Sequence, residues 1–258
     1  MTPAELAAYI GAAAWLPQIG IWLHRWLATP QLRIVLGRSV ELGFTSLGPI
    51  FNVHVAFTTE RKPLVINSLN MRLAHEDGDV HEFIWSGIQE DLGETRDAAG
   101  LTQGRLQKDK VPIAIKITTE TLLERFIRFQ EPRFRETDRP IFMDLVAHFE
   151  HLERTAKDDH IKAALESKEL FALLDSREKS FWWKAGTYTV WLRPSSASRF
   201  SLASPICYKF TLERWMADAL RRNIAQNRIE VENAMRSAGP GPLPPQVRWN
   251  WVNPDLRS

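Results

Sequence analysis

Leu69-Asn-Met-Arg-Leu-Ala-His-Glu-Asp-Gly-Asp-Val-His-Glu-Phe-Ile-Trp85 is two alternating runs either side of a turn. A three-residue loop at Glu76-Asp77-Gly78, with Gly78 left-handed, closes a hairpin with a bulge. That loop sets Leu73 opposite His81, Met71 opposite Phe83 and Leu69 opposite Trp85. The last two pairs place large apolar groups face to face, which cross-strand packing favours. A two-residue Asp-Gly turn would instead set Leu73 against Glu82, so the longer loop fixes the register.

The same period of two recurs on both sides of this hairpin. Phe51, Val53, Val55 and Phe57 alternate with Asn52, His54 and Ala56, and Val111, Ile113, Ile115 and Ile117 alternate with Pro112, Ala114 and Lys116. Residues 32–36 and 40–45 read as two further strands joined around Gly37-Arg38. Later, Gly186–Arg193 carries Tyr188, Val190 and Leu192 on one face, and Ile206–Phe210 is another strand. Seven or eight antiparallel strands point to a mainly β fold with added α-helix, an immunoglobulin-like antiparallel β-sandwich over 31–211. Its Cys-Trp-Cys signature is absent.

A helical insert at about 138–180 interrupts the strands. Asp138 can cap it, Pro140 suits a first turn, and Phe142, Leu145, Val146, Phe149 and Leu152 form a stripe. Asp158 or Asp159 can cap a short turn carrying Ile161, Ala164 and Leu165. Ser167 caps a third helix with Leu170, Phe171 and Leu174 inward. Residues 120–130 read equally as helix or strand. A long helix is expected at 212–237, striped by Leu212, Trp215, Met216, Ala219, Leu220 and Ile224, and stopped by Ser237-Ala-Gly-Pro-Gly241. In the Pro/Trp tail, 238–258, period-two spacing puts Trp249 and Trp251 on one side. They are expected to pack back on the chain's own body, or else to meet a partner.

Residues 6–23, Leu6-Ala-Ala-Tyr-Ile-Gly-Ala-Ala-Ala-Trp-Leu-Pro-Gln-Ile-Gly-Ile-Trp-Leu23, carry no charge. As a helix they span about 27 Å, close to the roughly 30 Å of a hydrocarbon core. Pro17 and Gln18 oppose insertion. Tyr9 lies at one end, Trp22 and Trp26 at the other, and Trp15 within. Arg25, Arg33 and Arg38 follow, while no Lys or Arg precedes. The expectation is a single-pass anchor over 1–28, with the N-terminus outside and the domain cytoplasmic. A signal peptide would need a basic leader and a better cleavage site than Leu27-Ala-Thr-Pro30. An interfacial helix would need a broader polar stripe than Gly11, Gln18 and Arg25. A soluble helix buried all round in a core or oligomer interface of a cytoplasmic protein is the alternative.

Composition narrows the function classes. The 258 residues hold 33 Lys plus Arg against 31 Asp plus Glu, a net +2 that does not point to nucleic acid. Cys207 is the single cysteine, so no internal disulfide forms, and its apolar strand points to a buried, inert thiol. His148 and His151 share a helix face, and His75 and His81 flank an acidic hairpin tip, but neither pair brings a full ligand set. Ser176-x-x-Lys179 lacks its partner motifs. The glycines at 93, 100 and 104 form no phosphate-binding loop.

Gln89 to Lys110 reads as a long polar loop whose basic end, Arg105, Lys108 and Lys110, suits anionic headgroups. No cofactor or metal is expected. The sequence therefore points to a membrane-anchored, non-enzymatic binding or sensing domain with a protein partner or homo-oligomer contacts. The alternatives are a soluble oligomeric interaction protein and a hydrolase with a site assembled from loops and the insert.

Overall fold

The computed structural model describes residues 15–20, 28–96, 102–156, 159–236 and 245–257. Strands β1 (Gln31–Thr45) and β2 (Gly48–Glu60) form the first hairpin, and β3 (Leu64–Ile66) leads into β4 (Ser68–His75) and β5 (Val80–Arg96). Next come β6 (Thr102–Lys110), β7 (Ile115–Ile117) and β8 (Leu123–Gln130). Helices α1 (Pro132–Thr155), α2 (His160–Leu165) and α3 (Lys168–Lys179) follow. The chain returns to β9 (Gly186–Ser195), β10 (Ser201–Leu202) and β11 (Cys207–Leu212), then ends in α4 (Arg214–Arg221), α5 (Asn223–Arg236) and an extended tail.

Nine strands form one continuous sheet ordered β10-β1-β2-β8-β5-β4-β9-β11, with β6 on β5. Strands β3 and β7 pair as a separate two-stranded sheet. The expected mainly β architecture holds, but the pairing is not divided between two packed sheets. The nine strands curl instead. The amide of Leu36 on β1 donates to the Tyr208 hydroxyl on β11 at 3.3 Å, and the tail bridges β1 at Leu42↔Val252 and β11 at Lys209↔Arg257. Curling satisfies edge strands that a flat sheet would leave open.

Inward positions fill the curl. Leu32, Leu42, Phe44, Phe51, Phe57 and Phe83 are fully or almost fully buried, as are Tyr188 and Phe210, and Leu64, Ile66 and Ile117 of the small sheet join the same core. The central hairpin keeps the expected register, Leu73↔His81 and Met71↔Phe83, with Gly78 at φ 102° and its amide donating to the His75 carbonyl at 3.0 Å.

Several boundaries differ from the sequence reading. The two strands expected at 32–36 and 40–45 are one strand, β1. A bulge carries it from Leu36↔Val55 to Val40↔Val53, four steps against two. The two added residues leave both leucine and valine inward, so the face is preserved. Of residues 120–130, Leu123–Gln130 form strand β8, held by ladders to β2 and β5 on both sides. The strand expected over Val111–Ile117 is confined to Ile115–Ile117. Val111 and Ile113 are 81% and 89% exposed, because Ile115 is the first of the four to reach β3. The polar loop expected over Gln89–Lys110 is mostly a β5–β6 ribbon, from Ile88↔Lys110 to Arg96↔Thr102. Both faces of that ribbon are polar in sequence, so no apolar alternation announces it.

The insert begins earlier than Asp138. Pro132 occupies the first turn of α1, where its missing N–H costs nothing, and Pro140 lies inside the helix. Ser167 caps α3 as expected, its Oγ accepting from the Leu170 amide at 3.2 Å. The buried stripe of α3 is Leu170, Leu173 and Arg177, whereas Phe171 is half exposed. Leu145, Ala164, Leu170 and Leu173 form a second core with Val231 and Met235 of α5. The single helix expected over 212–237 is two helices. Leu212 closes β11, Trp215 is exposed, and the helix breaks at Arg222.

That break receives the tail. The Asn223 amide, fully buried, donates to the Asn250 carbonyl at 2.8 Å, and its Oδ1 accepts from the Asn250 backbone amide at 2.8 Å. Residues 15–20 are helical and exposed. No helix among the described residues is long and apolar enough to cross a membrane. Most of the uncharged segment, 6–14 and 21–23, lies outside the described residues, as does the helix stop at 237–241.

Candidate functional site

The densest polar chemistry gathers where the β4–β5 turn meets the chain leaving α3. His75 is buried with its ring 4.7 Å from that of Tyr188. Its Nδ1 lies 2.7 Å from Asp77 Oδ1, and its Nε2 lies 3.2 Å from the Ala185 carbonyl. Gly186 sits beside it at φ 141°, and a Cβ there would fall 2.3 Å from His75 Nε2. Only glycine meets both demands. The Lys184 ammonium bridges the Asp77 and Asp79 carboxylates. Lys184, and then His75, hold the Asp77 carboxyl well below the usual carboxylate range, and the two carboxylates in turn raise the Lys184 pKa. An ammonium held charged by two carboxylates is a poor nucleophile. This arrangement is suited to fixing the loop.

A second cluster adjoins it. The His81 ring stacks on the Trp182 indole at 3.6 Å, and its Nδ1 lies 2.9 Å from Glu131 Oε1. Trp182 Nε1 donates to Glu131 Oε2 at 2.9 Å. Glu131 immediately precedes α1 and Trp182 follows α3, so His81 ties both crossings of the insert to the sheet. This accounts for the uncapped start of α1: the Glu131 carboxylate is already engaged.

Burial pushes the Tyr188 phenol up to about 12, while its hydroxyl donates to the Lys184 carbonyl at 2.9 Å. Against an unfolded value of about 10, the stabilising effect is complete below pH ~10 and is lost as pH rises toward ~12, about 2–3 kcal/mol in all. Stability measured in pH steps across that window should fall in the wild type and fall less in Tyr188→Phe. Equal slopes would refute the assignment.

The other residues singled out in sequence are dispersed. His148 Nε2 lies 3.7 Å from Glu169 Oε2 on α3, and no group of three or more His, Cys, Asp or Glu among the described residues could hold a metal ion. The Lys179 ammonium is 2.6 Å from Asp175, so it does not serve Ser176. Cys207 is half-buried rather than buried. It lines a cleft of about 500 Å³ with Thr187, Lys209, Phe210, Thr211 and Arg257, because it lies on the outward face of β11. Lys110 is exposed and borders a cleft of about 310 Å³ with Arg128, Gln130 and Arg135. Arg105 and Lys108 stand on β6 opposite Glu94 and Glu90.

Trp249 and Trp251 are both half-buried, and Trp251 lies over Gly43 of β1. Trp15 is 67% exposed, whereas Tyr9, Trp22, Arg25 and Trp26 fall outside the described residues. Sequence reasoning missed Glu131, Trp182 and Lys184. The doublet Trp182-Trp183 just before a strand was the available signal. No family model, curated protein or solved structure matches the chain.

Proposed function

We propose that this chain is a single-pass membrane protein whose β-rich domain is a cytoplasmic, non-enzymatic binding or sensing module. The observation that carries the reading is the uncharged run 6–23, followed by Arg25 and, within eight residues of its end, by the first strand at Gln31. The polar clusters add support. Their carboxylates are engaged by Lys184, His81 and Trp182 within the fold, as expected of a scaffold that presents surface rather than of a reaction centre. Carbonate extraction of membranes from cells expressing the full chain tests it. Retention in the pellet, with release by detergent alone, is the expected result. Full release into the supernatant would count against a span.

A second reading, a soluble homo-oligomer using the first helix as its interface, is favoured by the exposure of Trp15, Leu16 and Ile19 beside Pro17 and Gln18. Sedimentation without detergent separates the two. A dispersed oligomer that dissociates on deletion of residues 1–28 supports the second. Detergent-dependent solubility relieved by the same deletion supports the first.

A further inference from the structure

We propose that the end of the sheet at which the chain enters β1 lies against an anionic lipid surface. The inference rests on the membrane-anchored reading and adds an orientation to it. Register defines this end. Gln31 pairs with Glu60 and with Ser201, and Leu123 pairs with Phe57, so β1 and β10 begin, β2 ends and β8 begins on the same side. A span ending at Leu23 leaves seven residues, 24–30, before the first strand. Fully extended they reach at most about 25 Å. The leading end therefore cannot stand far from the bilayer, whereas the Thr45–Gly48 turn, at the other end of β1, can.

Charge differs between the two ends in the sense this requires. The segments 31–36, 55–66, 115–125 and 196–203 hold Arg33, Arg61, Lys62, Lys116, Arg125 and Arg199 against Glu60, Glu120 and Glu124, a balance of 6 − 3 = +3. At the far end, segments 44–49, 75–82, 130–136, 182–188 and 211–214 hold four Lys or Arg against seven Asp or Glu, 4 − 7 = −3. The β5–β6 ribbon runs toward the leading end and is nearly neutral, with four basic and five acidic residues over 89–110.

The leading end also exposes large apolar groups. Val65 is 43% exposed, Leu122 58% and Leu202 40%. Basic residues mixed with exposed apolar side chains, held near a bilayer by a short tether, favour contact with anionic headgroups. An anionic lipid surface is thus the occupant that charge and tether length both select.

The test uses the full chain reconstituted in vesicles, with Cys207→Ser and one new cysteine carrying an environment-sensitive fluorophore. Leu122→Cys reports the leading end and Leu47→Cys, also exposed, reports the far end. With spin-labelled lipid in phosphatidylcholine–phosphatidylglycerol vesicles, the label at 122 should be quenched at least about twofold more than that at 47. Pure phosphatidylcholine, or Arg61→Glu with Lys116→Glu, should shrink that difference. Equal quenching at 122 and 47 in protein that still resists carbonate extraction overturns the orientation and leaves the anchor standing. Protein that leaves the vesicles on carbonate treatment overturns the anchor and the orientation together.

Discussion

Arg177→Ala should cost about 3–5 kcal/mol, the loss expected when one partner of a buried ion pair is removed and the other charge stays behind. Arg177 is 4% exposed on α3, and its guanidinium meets Asp138 of α1 through two bonds, Nε to Oδ1 at 2.7 Å and Nη2 to Oδ2 at 3.1 Å. Asp138 is itself mostly buried, so truncating Arg177 strands a carboxylate between two helices. The cost should fall first on the insert, which among the described residues contributes only Leu145, Ala164, Leu170 and Leu173 to the second core, and not on the sheet. Urea titration followed by tryptophan fluorescence and by hydrogen exchange of the α1 and α3 amides would show this as an early transition confined to 132–179. Replacing the pair together, Arg177→Met with Asp138→Leu, should recover most of the loss, because neither charge is then left without a partner. A single variant that unfolds with wild-type midpoint would mean that the pair contributes nothing net.

The sheet was legible wherever one face is buried and the other wet. The register Leu73↔His81 followed from the turn residues and from which apolar groups would meet, and the structure keeps it. Tyr188, Val190 and Leu192 announced β9 by the same logic. Legibility failed where local pattern had no tertiary reason to be obeyed. Asp138-x-Pro140 looks like a helix start, yet Asp138 serves Arg177, thirty-nine residues away, and the helix has already begun at Pro132. Leu212 to Arg236 reads as one continuous stripe, but the helix breaks at Arg222, and Asn223 just beyond the break holds the tail. The candidate site was less legible still. His75 and His81 were visible as hairpin histidines, but Glu131, Trp182 and Lys184 come from the two crossings of the insert. No spacing rule links those positions, since they meet only after the sheet has curled.

Ending the chain after Gln246 should cost about 3 kcal/mol or more and should increase concentration-dependent association. The tail makes six backbone hydrogen bonds to the two end regions of the sheet. Four join it to Arg38, Val40 and Leu42 of β1, at 2.7–3.1 Å, and two join Arg257 to Lys209 of β11, at 2.7 and 2.8 Å. Each such bond is worth about 0.5–1.5 kcal/mol net. The burial of Val252 adds to them, and ordering the tail offsets part of the sum. Removing the tail also uncovers strand edges, which invite pairing between molecules. Position 43 isolates the indole's share. A Cβ on Gly43 would fall 2.2 Å from the Trp251 ring, so Gly43→Ala must push the tail away. In full-length protein that substitution should therefore be strongly destabilising, and in the shortened chain it should cost far less. The coupling between the two changes, read from urea midpoints, should be about 1–3 kcal/mol. A coupling near zero would show that Trp251 does not rest on Gly43, and that the tail's contribution lies in its backbone bridges alone.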